Sequence, residues 1–371
     1  MGVLGVCYEF DNVANTGSVY VRDKKAKNIG ERNVYERGVE MFEAAIIGLG
    51  WWGGTITRTL KESKKIKIIA GVDIDEEHGK KFTKEHNINF HKHIDDALGD
   101  PKIKAIIIAT PHGLHEEMFL ASVKAGKEIF CEKPFALTSV AARNMISQAE
   151  AKNITIGIGH ERRFEGAFEE IKRVIDTGEL GTLLHLEFNA SYNNMVKVPA
   201  KGWRKDPAQA PAGTMTALGV HQTDFMQTLA GPVDRINAQV FHRSDDFPNE
   251  DVLTVQFLFK SGISGSLTSL ATTPFYQRMS IFGDRGWIEN REISNVDIPD
   301  PATLVWRGMD EEIHTRTYKM DETVRPNLES WADAVMGKGD YRFSHQEILH
   351  NIEILETIVK SIKSGIEEKV G

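Results

Sequence analysis

Five apolar runs in the first 160 residues alternate with helical patterns. The runs are Phe42–Ile47, Ile66–Val72, Ile103–Ala109, Glu128–Cys131 and Ile154–Ile158. Helical spacing appears between them at Gly53–Leu60, Glu76–His86, Leu114–Ala125 and Val140–Ala151. Strands that are apolar on both faces and alternate with helices predict a parallel, doubly wound sheet. Right-handed crossovers then place every strand's C-terminal end on one edge, where ligands bind.

The pattern changes after Gly159. A helix is predicted over Phe164–Thr177. Leu184–Ala190, Ile236–His242, Leu253–Phe259, Gly265–Leu270 and Gln277–Phe282 read as strands, with one helix, Ala217–Leu229, among them. Gly262, Gly265 and Gly283 supply turns. This region predicts a mainly antiparallel sheet. Asn327–Met336 and Gln346–Ile362 read as closing helices. In the last, Ile348, Ile352, Leu355, Val359 and Ile362 form an apolar stripe suited to core packing. The fold class expected is α/β: an N-terminal doubly wound parallel sheet plus a C-terminal α/β domain with an open, mostly antiparallel sheet. The division expected is an extension over residues 1–40, a nucleotide-binding domain over 41–160 and a substrate-binding and oligomerisation domain over 161–371.

Residues 1–40 depart from this pattern. Met1–Cys7 is apolar but short, without a basic start or a small-residue cleavage site, so it makes a poor signal peptide. Val6 stands where a myristoylation signal needs Ser or Thr. Asp11–Glu40 is polar and aperiodic, and Met41 is a candidate natural start. The whole chain has 371 residues, 41% hydrophobic and 26% charged, as in soluble globular proteins. Lys+Arg 45 against Asp+Glu 53 gives a net charge of −8, which argues against nucleic acid or an anionic membrane as partner. No apolar run reaches the roughly 18–20 residues of a membrane span. The two cysteines, Cys7 and Cys131, cannot form a four-cysteine zinc site or a disulfide framework, and they suit a reducing cytoplasm.

Gly48-Leu49-Gly50-Trp51-Trp52-Gly53 is a G-x-G-x-x-G loop between a strand and a helix. Gly48 permits the tight turn, Gly50 lets the backbone approach a pyrophosphate, and Gly53 lets the helix pack close to the sheet. The helix N-terminus offers N–H groups and partial positive charge to phosphates. Asp73 ends the second strand 25 positions after Gly48, near the spacing of a ribose-binding acid. A carboxylate there accepts from the ribose 2′-hydroxyl of NAD and repels the 2′-phosphate of NADP. The next residues are Ile74, Asp75, Glu76 and Glu77, with no arginine, so NAD is expected over NADP. Trp51 and Trp52 fill the loop as packing or cofactor contacts.

In order and spacing, these motifs resemble the glucose–fructose oxidoreductase / inositol dehydrogenase / rhizopine catabolism (Gfo/Idh/MocA) family. The resemblance runs from about Phe42 to Val370. It rests on the Gly48–Gly53 loop, Asp73, Thr110-Pro111 with His115, Ala125-Gly126-Lys127 leading to Glu132-Lys133-Pro134, Arg163-Phe164, Gly178–Gly181, Trp203-Arg204, and Gly219-Val220-His221 with Asp224. It implies a Rossmann domain followed by an open-sheet domain, a nicotinamide cofactor, and a sugar, cyclitol or dihydrodiol substrate. The exposed sheet face implies a homodimer or homotetramer.

The resemblance makes Lys133 and His221 the catalytic pair. Lys133 would stabilise charge on the reacting oxygen or relay a proton, and His221 would take the proton of a substrate hydroxyl. Thr110, Pro111, His115, Glu132 and Lys133 itself fall on its cofactor side. His115 would line the nicotinamide side or cap the helix, and Glu132 would hold Lys133. Arg163, Trp203, Arg204 and Asp224 join His221 as candidate substrate contacts. A salt bridge is an equal use for Arg163, and capping or surface pairing for Asp224. His160 could face the cleft, Tyr192 could stack on the apolar face of a sugar, and Asn193 and Asn194 could bind its hydroxyls. His112 and His115 have no converging acids or cysteines, so no metal is expected.

One position breaks the pattern. Inositol-dehydrogenase-like members carry an aspartate four residues before the histidine, and here that residue is Ala217. Two alternatives to a sugar or cyclitol dehydrogenase follow. One is an NAD(H)-binding sensor or scaffold with weak or no turnover. The other is a dihydrodiol dehydrogenase.

Overall fold

The computed structural model describes residues 41–371 other than 194–195, 197–201, 246, 248–249, 293–300 and 319–321. The expectations for residues 1–40 and Asn194 lie outside the described residues. Those described belong to one compact unit, Tyr35–Gly371.

The first six strands are β1 (Phe42–Ile47), β2 (Ile66–Val72), β3 (Asn89–His91), β4 (Ala105–Ile108), β5 (Glu128–Cys131) and β6 (Ile156–Ile158). Every pairing among them is parallel, in the order β3-β2-β1-β4-β5-β6. The chain leaves β1 in one direction and returns through β4 in the other. That switch opens a crevice at the strands' C-terminal ends. Between the strands run α1 (Trp51–Thr59), α2 (Glu76–His86), α3 (Ile94–Gly99), α4 (His115–Lys124) and α5 (Ser139–Ala151). β4 is buried at every position, because side chains on both of its faces meet packed layers. α1 starts two residues before the expected Gly53, because the loop turns directly into helix after Gly50.

A single 3-10 turn, Glu161–Phe164, leads from β6 into α6 (Gly166–Asp176). Then come β7 (Leu183–Ser191), α7 (Val220–Ala230), β8 (Val233–Phe241), β9 (Val252–Phe259), β10 (Ser264–Leu270), β11 (Tyr276–Gly283), β12 (Gly286–Glu292), β13 (Ala302–Arg307) and β14 (Ile313–Tyr318). The chain closes with α8 (Val324–Val335), α9 (His345–Ser364) and β15 (Glu368–Lys369). The second sheet runs β14-β13-β12-β11-β7-β10-β9-β8-β15. Among the described residues only β7 and β10 pair in parallel, so the sheet is mixed but mostly antiparallel. The helices α6, α7 and α9 bury one face of it through Ile171, Phe225 and Ile358. The other face bears polar residues such as Glu187, Arg278 and Glu289, which pair across strands.

α9 belongs to both cores. Ile348 and Ile352 pack with the parallel sheet, whereas Ile354, Leu355 and Ile358 pack with the mixed one. The expected stripe is therefore wider and displaced: Ile354 and Ile358 are buried, and Val359 and Ile362 only half-buried. α9 starts at a capping box, in which Ser344 Oγ accepts from Glu347 N–H and Glu347 accepts from Ser344 N–H. α8 returns to the parallel sheet, where Trp331 packs edge-on against Phe42 and Phe130.

Candidate active site

The glycine loop has the geometry of a phosphate cradle. Gly48 has φ +90, and a Cβ there would lie 2.6 Å from the Ala109 carbonyl oxygen. A Cβ on Gly53 would lie 2.0 Å from Gly48 O, so α1 packs against β1 only with glycine at this point. Gly50 is different: nothing lies within 4 Å of its Cβ position, and no side chain caps α1 there. Among the described residues no side chain caps the first N–H groups of this nine-residue helix, which fits a pyrophosphate. Trp51 is 56% exposed beside this space. Trp52 instead packs against the core that includes Ile46 and Ile56.

Asp73 ties the loop down. One carboxylate oxygen accepts the Leu49 N–H at 2.9 Å, and the other accepts the Asp75 N–H at 2.9 Å. The sequence reading did not find His78, whose Nε2 meets the Leu49 carbonyl at 2.8 Å from α2. Thr110 and Pro111 follow β4. The Thr110 hydroxyl oxygen is buried with no hydrogen-bond partner among the described residues. His115 is fully buried and braces two loops, with Nδ1 2.8 Å from Pro134 O and Nε2 3.1 Å from Thr110 O. Burial holds its pKa down, so the neutral ring donates to one carbonyl at a time.

Lys133 follows β5, before a cis peptide bond to Pro134. Its ammonium reaches across to the start of the second sheet's helical layer. Nζ donates to Ala217 O at 2.7 Å and lies 3.5 Å from Thr216 O. Those carbonyls belong to a π-helical turn, Met215–Gly219, which runs into α7. Such turns recur at functional sites. The buried Glu132 carboxylate accepts the Lys133 backbone N–H at 3.2 Å. Gly159 makes room for it, since a Cβ there would sit 2.3 Å from Glu132 Oε2. Burial pulls the Lys133 pKa well below the ordinary lysine range. Burial, with the neighbouring Glu161 charge, pushes Glu132 up.

His221 sits one turn beyond Ala217, at the start of α7, and is buried. Its Nδ1 lies 3.4 Å from Nδ1 of His160, with the two rings edge to face. His160 Nε2 in turn lies 3.1 Å from the Asn351 side-chain amide nitrogen on α9. Burial keeps both imidazoles neutral, with His160 lowered to about 4, and the Lys133 charge lowers both further. The sequence named His160 only as a cleft residue and missed Asn351. An amide on the buried side of an apolar stripe was the available signal, since a buried amide needs partners.

Arg163 and Asp224 are turned on each other. Arg163 donates from Nε to Asp224 Oδ2 at 2.7 Å and from Nη2 to Oδ1 at 2.6 Å. Its third arm reaches Glu347 at 2.9 Å, and its guanidinium stacks 4.3 Å from the Phe343 ring centre. Both charges are committed to this buried pair rather than to the cleft. The geometry thus favours the salt-bridge reading of Arg163. Asp224 likewise does not hold His221; it accepts from Arg163 and Gln227.

Trp203 packs edge-on against His112 at 4.4 Å, and the Arg204 guanidinium stacks on Trp203 at 4.3 Å. His112 Nδ1 lies 3.0 Å from Gln209 O, so this loop rests on the turn after β4. Arg204 has no acidic partner among the described residues. Burial lowers its pKa, and its charge is felt at Lys133. The structure therefore gathers the glycine loop, Lys133, His221 and Arg204 along one edge. It sets Arg163, Asp224 and His115 behind them as braces.

Two family models match the chain. Residues 42–160 match "Oxidoreductase family, NAD-binding Rossmann fold", and residues 168–289 match the "GFO/IDH/MocA C-terminal domain". The chain belongs to the Gfo/Idh/MocA family of oxidoreductases. Two curated family relatives are similar over most of their length. An inositol 2-dehydrogenase from Saccharopolyspora erythraea is 27% identical, over 78% of this chain and 84% of its own. A 1,5-anhydro-D-fructose reductase from Ensifer adhaerens is 24% identical, over 87% and 95%. Among solved structures, levoglucosan dehydrogenase in complex with NADH superposes with a TM-score of 0.78 at 19% identity, over 89% of this chain and 99% of that one. At that identity the likeness shows the fold alone. No helix among the described residues is long and apolar enough to cross a membrane.

Proposed function

We propose that this Gfo/Idh/MocA member is an NAD-dependent dehydrogenase or reductase for a secondary alcohol or ketone on a sugar, cyclitol or related diol. The observation that carries this reading is Lys133 reaching the turn that opens the helix of His221, on the edge shared with the open Gly50 cradle. The names of the two curated relatives support the substrate class. Gly48, Gly50 and Gly53 would hold the pyrophosphate, Asp73 the ribose, and Thr110, Pro111 and Trp51 the nicotinamide side. When bound, the nicotinamide supplies hydride transfer.

NAD is favoured over NADP because Asp73 keeps a carboxylate at the end of β2. Asp75 caps α2, and the residue between them, Ile74, is exposed. Positions 74–77 carry no cation to meet a 2′-phosphate. Lys133 Nζ and His221 Nε2 would meet the substrate oxygen, one as hydrogen-bond donor and the other as proton carrier. Arg204 and Trp203 would form the rim, a free charge beside an aromatic face. A second copy of the chain would pack on the open face of the mixed sheet.

The dihydrodiol reading has one observation in its favour. Ala217 packs with Phe247 and Ala271, an apolar wall where inositol-dehydrogenase-like members carry a carboxylate. Turnover on a panel of sugars, cyclitols and dihydrodiols with NAD separates the two. Activity confined to dihydrodiols would replace the sugar reading, and nicotinamide binding without turnover would favour the sensor.

A further inference from the structure

The hydrogen bonds around His221 have a direction, and it starts at Asn351. The Asn351 side-chain nitrogen donates to Val220 O at 3.0 Å, and a carbonyl can only accept. Its side-chain oxygen accepts from the Thr223 hydroxyl at 2.6 Å. A flipped amide would set its oxygen against the Val220 carbonyl oxygen, so the orientation is fixed. The same nitrogen faces His160 Nε2 at 3.1 Å, and Nε2 must therefore be the acceptor. A neutral His160 then carries its proton on Nδ1 and donates it to His221 Nδ1. His221, accepting at Nδ1, carries its own proton on Nε2. That nitrogen has no hydrogen-bond partner among the described residues.

We infer that Asn351 is a positioning residue that fixes His221 as a hydrogen-bond donor at Nε2, leaving Lys133 Nζ to take and return the substrate proton. The inference rests on the dehydrogenase reading and assigns roles within its catalytic pair. For His221 to act as base at Nε2, its proton would have to move to Nδ1. His160 would then have to accept at Nδ1 and carry its proton on Nε2. Two donors, His160 Nε2–H and the Asn351 amide, would face each other at the 3.1 Å contact. Nor can the neutral chain deliver a proton outward, since Asn351 cannot replace one lost from His160. His221 therefore steadies the oxygen without changing charge. In oxidation, the substrate C–H bond breaks with its electron pair going to the oxidised nicotinamide. The O–H proton goes to the neutral Lys133 amine, and C=O forms. Lys133 then releases the proton to water; reduction reverses each transfer.

The test reads the tautomer directly, in the protein without cofactor. Histidine labelled with nitrogen-15 gives long-range proton–nitrogen correlations, with His221 assigned by the peaks lost in His221→Gln. The expected spectrum has His221 protonated at Nε2 and bare at Nδ1. The opposite tautomer, an average of the two, or a charged ring overturns the inference. Asn351→Asp puts an acceptor against His160 Nε2 and should reverse the chain. Thr223→Val removes only the donor to the amide oxygen; Val220 O still holds the amide nitrogen, so the parent tautomer should persist. In Asn351→Asp, kcat should fall by roughly tenfold or more with KM and NADH affinity little changed. If His221 keeps its proton on Nε2 in Asn351→Asp, or loses it in Thr223→Val, the Asn351 amide does not set it. A protein that shows the expected tautomer but binds no nicotinamide would sink the dehydrogenase reading instead.

Discussion

Lys133 Nζ donates to the carbonyl oxygen of Ala217 at 2.7 Å, joining the residue after β5 to the turn that opens α7. A carbonyl dipole is a weaker partner than the carboxylate that inositol-dehydrogenase-like relatives carry at this position. Burial outweighs this bond and the nearby carboxylates, and leaves the ammonium less stabilised than in water. Lys133→Ala should lower turnover by roughly 100-fold or more while NADH binding stays nearly intact. Since the amine must be neutral to accept a proton, alcohol oxidation should rise with pH and level off below the ordinary lysine range. Ketone reduction should fall over the same interval. Unchanged turnover in Lys133→Ala would remove the assigned role.

The three loop glycines should respond to alanine in different ways. In Gly53→Ala the new methyl meets Gly48 O, and folding stability should drop by about 1–3 kcal/mol. In Gly50→Ala the methyl meets open space, so stability should stay within about 1 kcal/mol. NADH affinity should nevertheless fall, because the methyl occupies the pyrophosphate's approach. Urea titrations and NADH fluorescence on the two variants check both halves.

Arg163 and Asp224 should behave as structure. Arg163→Met leaves the buried Asp224 without a cation, and Asp224→Asn leaves Arg163 with the half-buried Glu347 alone. Each should cost about 3–5 kcal/mol in urea denaturation. Variants that fold normally but lose only substrate affinity would return these residues to the cleft.

Much of this architecture was legible in the sequence because the signals were periodic. β1, β2, β4 and β5 are apolar on both faces, and the glycine loop and Asp73 sit at fixed spacing. The strands β12 to β14 were not predicted. β14 is largely exposed and lacks alternating apolar positions, so only pairing with β13 defines it. β3 is three residues long and only half-buried. The proximity of Lys133 to the start of α7 followed from motifs at strand and helix ends, whereas the partners of Arg163 and Asp224 did not. Their pairing joins residues 61 positions apart, and no local pattern carries that information. Asn351 was hidden for the same reason, since its partners lie on the 3-10 turn region and α7.

Acid should destabilise the fold through His160. Its pKa falls from 6.5 to about 4 on folding, because burial disfavours the charged ring. Below pH 6.5 the unfolded chain binds a proton that the native state refuses. The stabilisation is therefore complete above pH 6.5 and is lost as pH falls toward 4, by about 3 kcal/mol in all. His221 and His112, lowered in the same direction by burial, add to the loss. Urea midpoints measured across this range should decline with acid, and less steeply in His160→Gln. An equal slope in that variant would contradict the assignment.

The most direct measurement is nicotinamide fluorescence on the purified protein, titrated with NADH and NADPH and followed by turnover with NAD on sugars, cyclitols and dihydrodiols. NADH should bind more tightly than NADPH, and at least one panel class should be oxidised. Binding of neither cofactor would contradict the reading of the glycine loop, and with it the proposed chemistry.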